Sequence, residues 1–295
     1  MRTELRKWSL LLGAAAVLAL PLPSSAQLTT VDLAQKVNST EAHVGKLTGH
    51  AKDAAGDYRR YCVGCHGDLG DGNGEVAQWL EPPMWPKPRN FQLGIFKCRS
   101  TPTGTLPTDQ DLFDAIGRGF DRSAMPIWNT FTNQQRVDLV AWVKHFSPRF
   151  SGGEKPGDPI QIPPEPEVTP ERIKAGRDVF ARVQCWKCHG VQGMANGPSA
   201  STLTDDLGRP IAAFNFAEGS RPKCGGTDKD IYRIFMTGLD GTPMPSFADN
   251  IKPDEAWDLV FYLRTFMAQP SKAKAMAKQL GLKPVDPNAP APTGQ

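Results

Sequence analysis

Charge is scarce and nearly balanced in this chain: 34 Lys and Arg face 31 Asp and Glu, a net of +3, and only 22% of the 295 residues are charged. That excludes a polybasic nucleic-acid binder and an acidic, disordered tail protein. Long apolar runs are missing beyond the first two dozen residues, so no later segment offers the roughly 20 apolar residues a membrane span needs. No alternating run is long enough for a sheet, which leaves an all-α class with long loops. Histidine is limited to five, and no Ser/His/Asp set or carboxylate pair falls in a recognisable catalytic motif. Turn chemistry, by contrast, is plentiful. Gly (28) and Pro (27) make up nearly a fifth of the chain against an ordinary usage of about 7% and 5%, which predicts many turns and an extended linker.

The first 26 residues read as a secretory signal peptide. Arg2, Arg6 and Lys7 give a positive start, Leu10 to Leu20 an apolar stretch, and Ser24-Ser25-Ala26 a small-residue cleavage site before Gln27. A retained anchor is the competing reading, but Pro21 and Pro23 break a helix already short for a span. Cleavage would leave an exported product of 269 residues with net charge +1 and no transmembrane segment. The expected location is the periplasm.

An internal repeat governs the rest. Cys62-Val63-Gly64-Cys65-His66-Gly67 is matched by Cys185-Trp186-Lys187-Cys188-His189-Gly190, and Asn73-Gly74 by Asn196-Gly197. Asn90-Phe91 answers Asn215-Phe216, and Lys97-Cys98 answers Lys223-Cys224. Gly119-Phe120-Asp121 with Met125-Pro126 answers Gly238-Leu239-Asp240 with Met244-Pro245, and Asp138-Leu139-Val140 answers Asp258-Leu259-Val260. Same-order matches over about 85 residues indicate a duplicated domain.

Each copy reads as helical. Helix formers lead into the cysteines over 53–65 and 171–188. Thr108 and Thr227 look like N-caps, each with an Asp three residues on. Helices near 133–146 and 253–267 carry Val137, Val140, Ala141 and Lys144, then Trp257, Val260, Phe261 and Arg264, at i, i+3, i+4, i+7 spacing. This divides the chain into a signal peptide (1–26), an unmatched N-terminal arm (27–56), a first domain (57–150), a Pro-rich linker (151–169), a second domain (170–269) and a flexible C-terminal tail (270–295). The linker is either a semi-rigid spacer or a strap over the surface.

Cys-x-x-Cys-His is the signal for covalent c-type haem attachment. Two thiols one helical turn apart can add to the two vinyl groups on one side of a haem, and the adjacent His then reaches the iron. A thioredoxin-like pair would need a βαβ context and a zinc site four ligands. Export fits too, because the thioethers form outside the cytoplasm. The sequence therefore predicts two covalently bound haem c, on Cys62, Cys65 and His66 and on Cys185, Cys188 and His189.

In both copies the chain resembles the class I c-type cytochromes, so the expected architecture is two tandem domains of that class joined by the Pro-rich linker. The resemblance implies His66 and His189 as proximal iron ligands and a Met from a later loop as the distal one, which gives Met125 and Met244. The residues support this independently: these two Met occupy equivalent repeat positions, precede Pro, and follow their His by 59 and 55 residues. Met84, Met194, Met236 and Met267 read as core filler. Histidine as the sixth ligand is limited to His43, His50 and His145. The first two lie in the arm and could in principle displace Met125; the third sits on a packing helix.

Cys98 and Cys224 remain. They are repeat-equivalent, and three readings compete: a disulfide between the domains, two free buried thiols, or thiolates used in a partner contact or on a haem iron. An exported chain with an even remainder favours the disulfide, and equivalent positions meet if the domains pack about a pseudo-two-fold axis. Phe96 to Pro102 with Leu106-Pro107-Thr108-Asp109, and Asp230-Ile231-Tyr232 with Thr237 to Pro245, resemble dihaem cytochromes that accompany exported respiratory oxidoreductases, including molybdenum enzymes of nitrogen-oxide metabolism; Cys98, where an apolar residue is expected, departs from that pattern. The implied partners are redox proteins, among them a periplasmic molybdenum-dependent oxidoreductase complex. The implied role is electron transfer, with a dihaem peroxidase or thiosulfate-oxidising cytochrome as the alternative.

Overall fold

Thr108 and Thr227 begin equivalent helices for an equivalent reason. Each side chain accepts the backbone N–H of the Asp three residues on, and that Asp accepts the Thr N–H in return, at 3.0–3.1 Å throughout. The computed structural model describes residues 40–82 and 86–289, so the signal-peptide reading and residues 27–39 of the predicted arm lie outside it. A hairpin, β1 (Glu41–Val44) and β2 (Leu47–His50), comes first. Helices α1 (Ala55–Tyr61), α2 (Val63–His66), α3 (Asp109–Arg118), α4 (Asn133–His145) and the single turn α5 (Pro148–Ser151) follow. After the linker come α6 (Pro170–Arg182), α7 (Trp186–His189), α8 (Asp228–Thr237), α9 (Pro253–Phe266) and α10 (Lys272–Gln279).

Two hydrophobic cores form, one per repeat. Tyr58, Leu112, Val137, Val140, Ala141 and Phe146 lie in the first, and Phe180, Ile231, Trp257, Val260, Phe261 and Tyr262 in the second. The hairpin corrects the purely helical expectation. Its strands have four residues each, with only Ala42 and Val44 buried on β1, which is too short for alternation to register. Gly45, at φ +57, makes the turn. Ala42, Val44, Ala51 and Ala54 are buried in the first core, so the arm from residue 40 onward belongs to that core and does not stand outside it.

In the first repeat β2 lies against the last helix: a Cβ on Gly49 would come within 2.3 Å of the Val137 carbonyl carbon. Asp138 closes this contact by accepting the His50 N–H at 3.0 Å. In the second repeat α6 crosses α9 instead, and a Cβ on Gly176 would lie 1.9 Å from the Asp258 carbonyl oxygen. Asp258 pairs with Arg172 at 2.7 Å.

The linker is a strap. Ile160 N–H donates to the Ser100 carbonyl at 2.8 Å, and Trp257 Nε1 donates to the Pro163 carbonyl at 3.1 Å, so it binds both repeats. The tail packs on the second repeat up to Val285. Helix α10 buries Ala273 and Ala277 in the second core, and Leu282 and Val285 pack beside it. Met267 is buried and Met236 partly so, whereas Met194 is exposed and fills no core; Met84 lies outside the described residues.

The two repeats meet through Cys98 and Cys224, joined in a disulfide with Cα atoms 5.1 Å apart. Around it, two arginines at different repeat positions reach repeat-equivalent acceptors. The Arg99 guanidinium donates to the Thr237 carbonyl and to Asp240, and the Arg221 guanidinium donates to the Arg118 carbonyl and to Asp121. Thr237 and Arg118 are repeat-equivalent, as are Asp240 and Asp121. The first Arg is fully buried, while the second keeps 38% of its side-chain exposure.

Candidate functional site

Each Cys-x-x-Cys-His segment enters a short helix that ends on its His. Cys62 is the last link between α1 and α2, and Gln184, at φ +59, breaks α6 just before Cys185. The His66 ring is buried and its Nδ1 lies 3.2 Å from the Arg89 carbonyl; His189 Nδ1 lies 3.0 Å from the Phe214 carbonyl. Both acceptors immediately precede an Asn-Phe pair, so the two sites use equivalent carbonyls. Donation from Nδ1–H fixes the tautomer in which Nε2 carries the free lone pair, the form a metal-ligating His needs. Phe91 stacks on His66 at 4.4 Å, and Phe216 sits 5.1 Å from His189. Burial pushes the His66 pKa down to about 4 and that of His189 down as well, keeping both rings neutral.

The Met loops are also built alike. Phe120 N–H donates to the Met125 carbonyl at 3.1 Å and Leu239 N–H to the Met244 carbonyl at 3.0 Å. Ser123 Oγ accepts the Met125 N–H and Thr242 Oγ1 accepts the Met244 N–H, both at 3.2 Å. In the first repeat, Cys62, Cys65, His66 and Met125 line one cleft, open to solvent, together with Phe91, Pro126 and Trp128. In the second, Cys185, Phe214 and Met244 pack at the edge of the core. All four motif cysteines are unpaired, and burial raises the Cys62 and Cys185 thiols to about 12.

His43 and His50 stand on the hairpin beside Glu41, and neither lines the cleft. His145 is buried against Trp142 and Phe146 in the first core. Among the described residues no group of three or more His, Cys, Asp or Glu is placed to hold a metal. No helix there is long and apolar enough to cross a membrane.

Residues 49–143 match a family model described as cytochrome C oxidase, cbb3-type, subunit III, and residues 173–266 match the cytochrome c family model. A chain of the solved Kuenenia stuttgartiensis reducing HAO-like protein complex Kustc0457/Kustc0458 is 40% identical, with a TM-score of 0.69, over 73% of this chain and 96% of its own. The chain belongs to the c-type cytochromes. No curated protein matches it. As a c-type cytochrome it is a haem-binding electron-transfer protein, with a cytochrome c domain in its C-terminal half and a cbb3-subunit-type domain in its N-terminal half.

The residues present suit that cofactor. In the first cleft two thiols, a neutral imidazole and a thioether, the donor types of a haem c site, face one space. Trp128 Nε1, on the cleft wall, is buried with no acceptor among the described residues and so has a donor to offer a ligand. Two features were missed from sequence: the Arg89 and Phe214 carbonyls and the Trp128 donor. The matched Asn-Phe pairs were the signal for the carbonyls. Nothing marked Trp128, because its counterpart in the second repeat is Phe247.

Proposed function

We propose that the protein is a dihaem cytochrome c with two tandem class I domains, carrying single electrons between a multi-subunit oxidoreductase and a second redox protein. Haem c would be attached at Cys62 and Cys65 with His66 and Met125 on the iron, and at Cys185 and Cys188 with His189 and Met244. Bound there, haem supplies a one-electron couple, and His/Met ligation favours the ferrous form more than two imidazoles would. The observation that carries this reading is the double equivalence: both His rings are tied to matching carbonyls, and both Met–Pro loops are pinned by matching hydrogen bonds. The chain's part is to hold the ligands and keep the imidazoles neutral.

The oxidoreductase partner is read from the relatives. One matched family is a cbb3-type oxidase subunit and the solved relative belongs to a reducing HAO-like complex; neither name supports the molybdenum-dependent partner expected from the loops. Export to the periplasm rests on the signal-peptide pattern of residues 1–26. A dihaem peroxidase would need a haem with an open position, and a thiosulfate-oxidising cytochrome a Cys on iron. Cys98 and Cys224 are bonded to each other, which argues against the second.

The test is haem content together with carbon monoxide binding. Two haems per chain and no stoichiometric carbon monoxide uptake by the reduced protein at neutral pH are expected. One haem per chain, or one equivalent of carbon monoxide bound, overturns the reading.

A further inference from the structure

The disulfide brings two like charges together. Lys97 and Lys223 immediately precede the bridged cysteines, and both line the first cleft although Lys223 belongs to the second repeat. Arg89, whose carbonyl holds His66, lines it too. Neither ammonium has a hydrogen-bonded or ion-paired partner among the described residues. Burial, then repulsion from Arg89 and from Lys223, pushes Lys97 down to about 7 against the pull of Asp205, and burial, with Arg122 and Arg89, also lowers Lys223. A half-buried cationic pair held by a covalent bond, with no carboxylate hydrogen-bonded to either ammonium and Asp205 only partly offsetting the burial of Lys97, is stabilised by an anion seated between the groups. Haem presents two carboxylates on the edge opposite its thioethers.

We infer that Lys97 and Lys223, clamped together by the Cys98–Cys224 bridge, form an anion seat built from both domains for the carboxylates of the haem in the first cleft, so that the second domain helps set the first haem's reduction potential. This rests on the dihaem reading above. A cation near the haem favours the state with one more electron, so its removal lowers the potential.

The test uses the full-length holoprotein, with Lys223→Gln and Lys223→Arg compared to the parent by potentiometric titration of both haems. Haem content and the far-red band of Met-ligated ferric haem are recorded first; loss of either in the parent would count against the dihaem reading and not against the anion seat. With both intact, Lys223→Gln is expected to lower one of the two potentials by about a tenfold change in the ferrous-to-ferric ratio, which is 59 mV for one electron. Lys223→Arg should restore most of it. Lys97→Gln should move the same couple in the same direction. The proposal fails if neither potential moves by twofold, or if the Gln and Arg variants shift alike. It fails also if the parent's potential follows added inorganic phosphate while that of Lys223→Gln does not, because the seat would then belong to a free anion.

Discussion

The two repeats reach the same contact by different means. In the second, a 13-residue helix, α6, lays Gly176 on the backbone of α9 beside Asp258. In the first, the corresponding stretch is a β-hairpin and a 3-10 turn, yet a glycine, Gly49, again meets the last helix beside the equivalent Asp138. The Asp finds a partner each time: a backbone N–H in one repeat and a guanidinium in the other. Retained through the duplication is the close approach that fixes the last helix against the stretch preceding the Cys-x-x-Cys-His segment; the secondary structure delivering it changed. A side-chain-free residue at that point permits backbone-to-backbone packing whichever element supplies it.

That comparison can be broken by substitution, beginning where the effect should be largest. The interface pairs come first. Arg99→Ala leaves Asp240 short of a buried partner and should cost about 3 kcal/mol or more, whereas Arg221→Ala, which reaches the repeat-equivalent acceptors at a site open to water, should cost about 1 kcal/mol or less. Denaturant midpoints of the two haem-loaded variants measure the gap, and equal losses would mean that the two halves of the interface are energetically alike.

Gly176→Ala follows. Its added methyl would collide with a helix backbone that α6 cannot leave without dragging Phe180 from the core, so a loss of about 3 kcal/mol is expected. Gly49→Ala should cost about 1–2 kcal/mol, because a two-stranded hairpin can tilt away. Thermal unfolding followed by far-ultraviolet circular dichroism decides whether the helix–helix crossing is the stiffer of the two.

The smallest effect is one of pH. Hydrogen bonds from Thr227, with help from Arg233, hold the Asp230 carboxyl below its usual range, more than offsetting its burial. A depressed folded-state pKa contributes stability that is present above the unfolded value, about 3.9, and lost as pH falls through the folded value. Asp230→Asn should therefore flatten the acid limb of the stability curve. An unchanged limb would show that the cap carries no linked proton.

The helical frame and the candidate ligands were legible because each has a local signature: a capping Thr with its Asp, and a five-residue motif repeated in register with a Met–Pro. The hairpin was hidden by its brevity. His43 and His50, which the sequence allowed as alternative ligands, are held at Glu41 by hairpin geometry that no local pattern encodes. The pairing of Arg99 with Asp240 joins residues 141 positions apart, and only the folded arrangement of two homologous surfaces makes it visible. The Cys98–Cys224 bridge stood among three readings for the same reason: equivalence in a repeat predicts meeting only if the repeats face each other about a two-fold axis.

The strap and the disulfide together give the chain a topology that neither has alone. Residues 151–169 connect the halves once, and Cys98–Cys224, 126 residues apart, connect them a second time. The path from Cys98 through the strap to Cys224 is thus a closed covalent ring. Cutting the strap would leave both halves in one molecule until a reductant arrived, and the same closure confines the two Cys-x-x-Cys-His segments to a narrow range of separations.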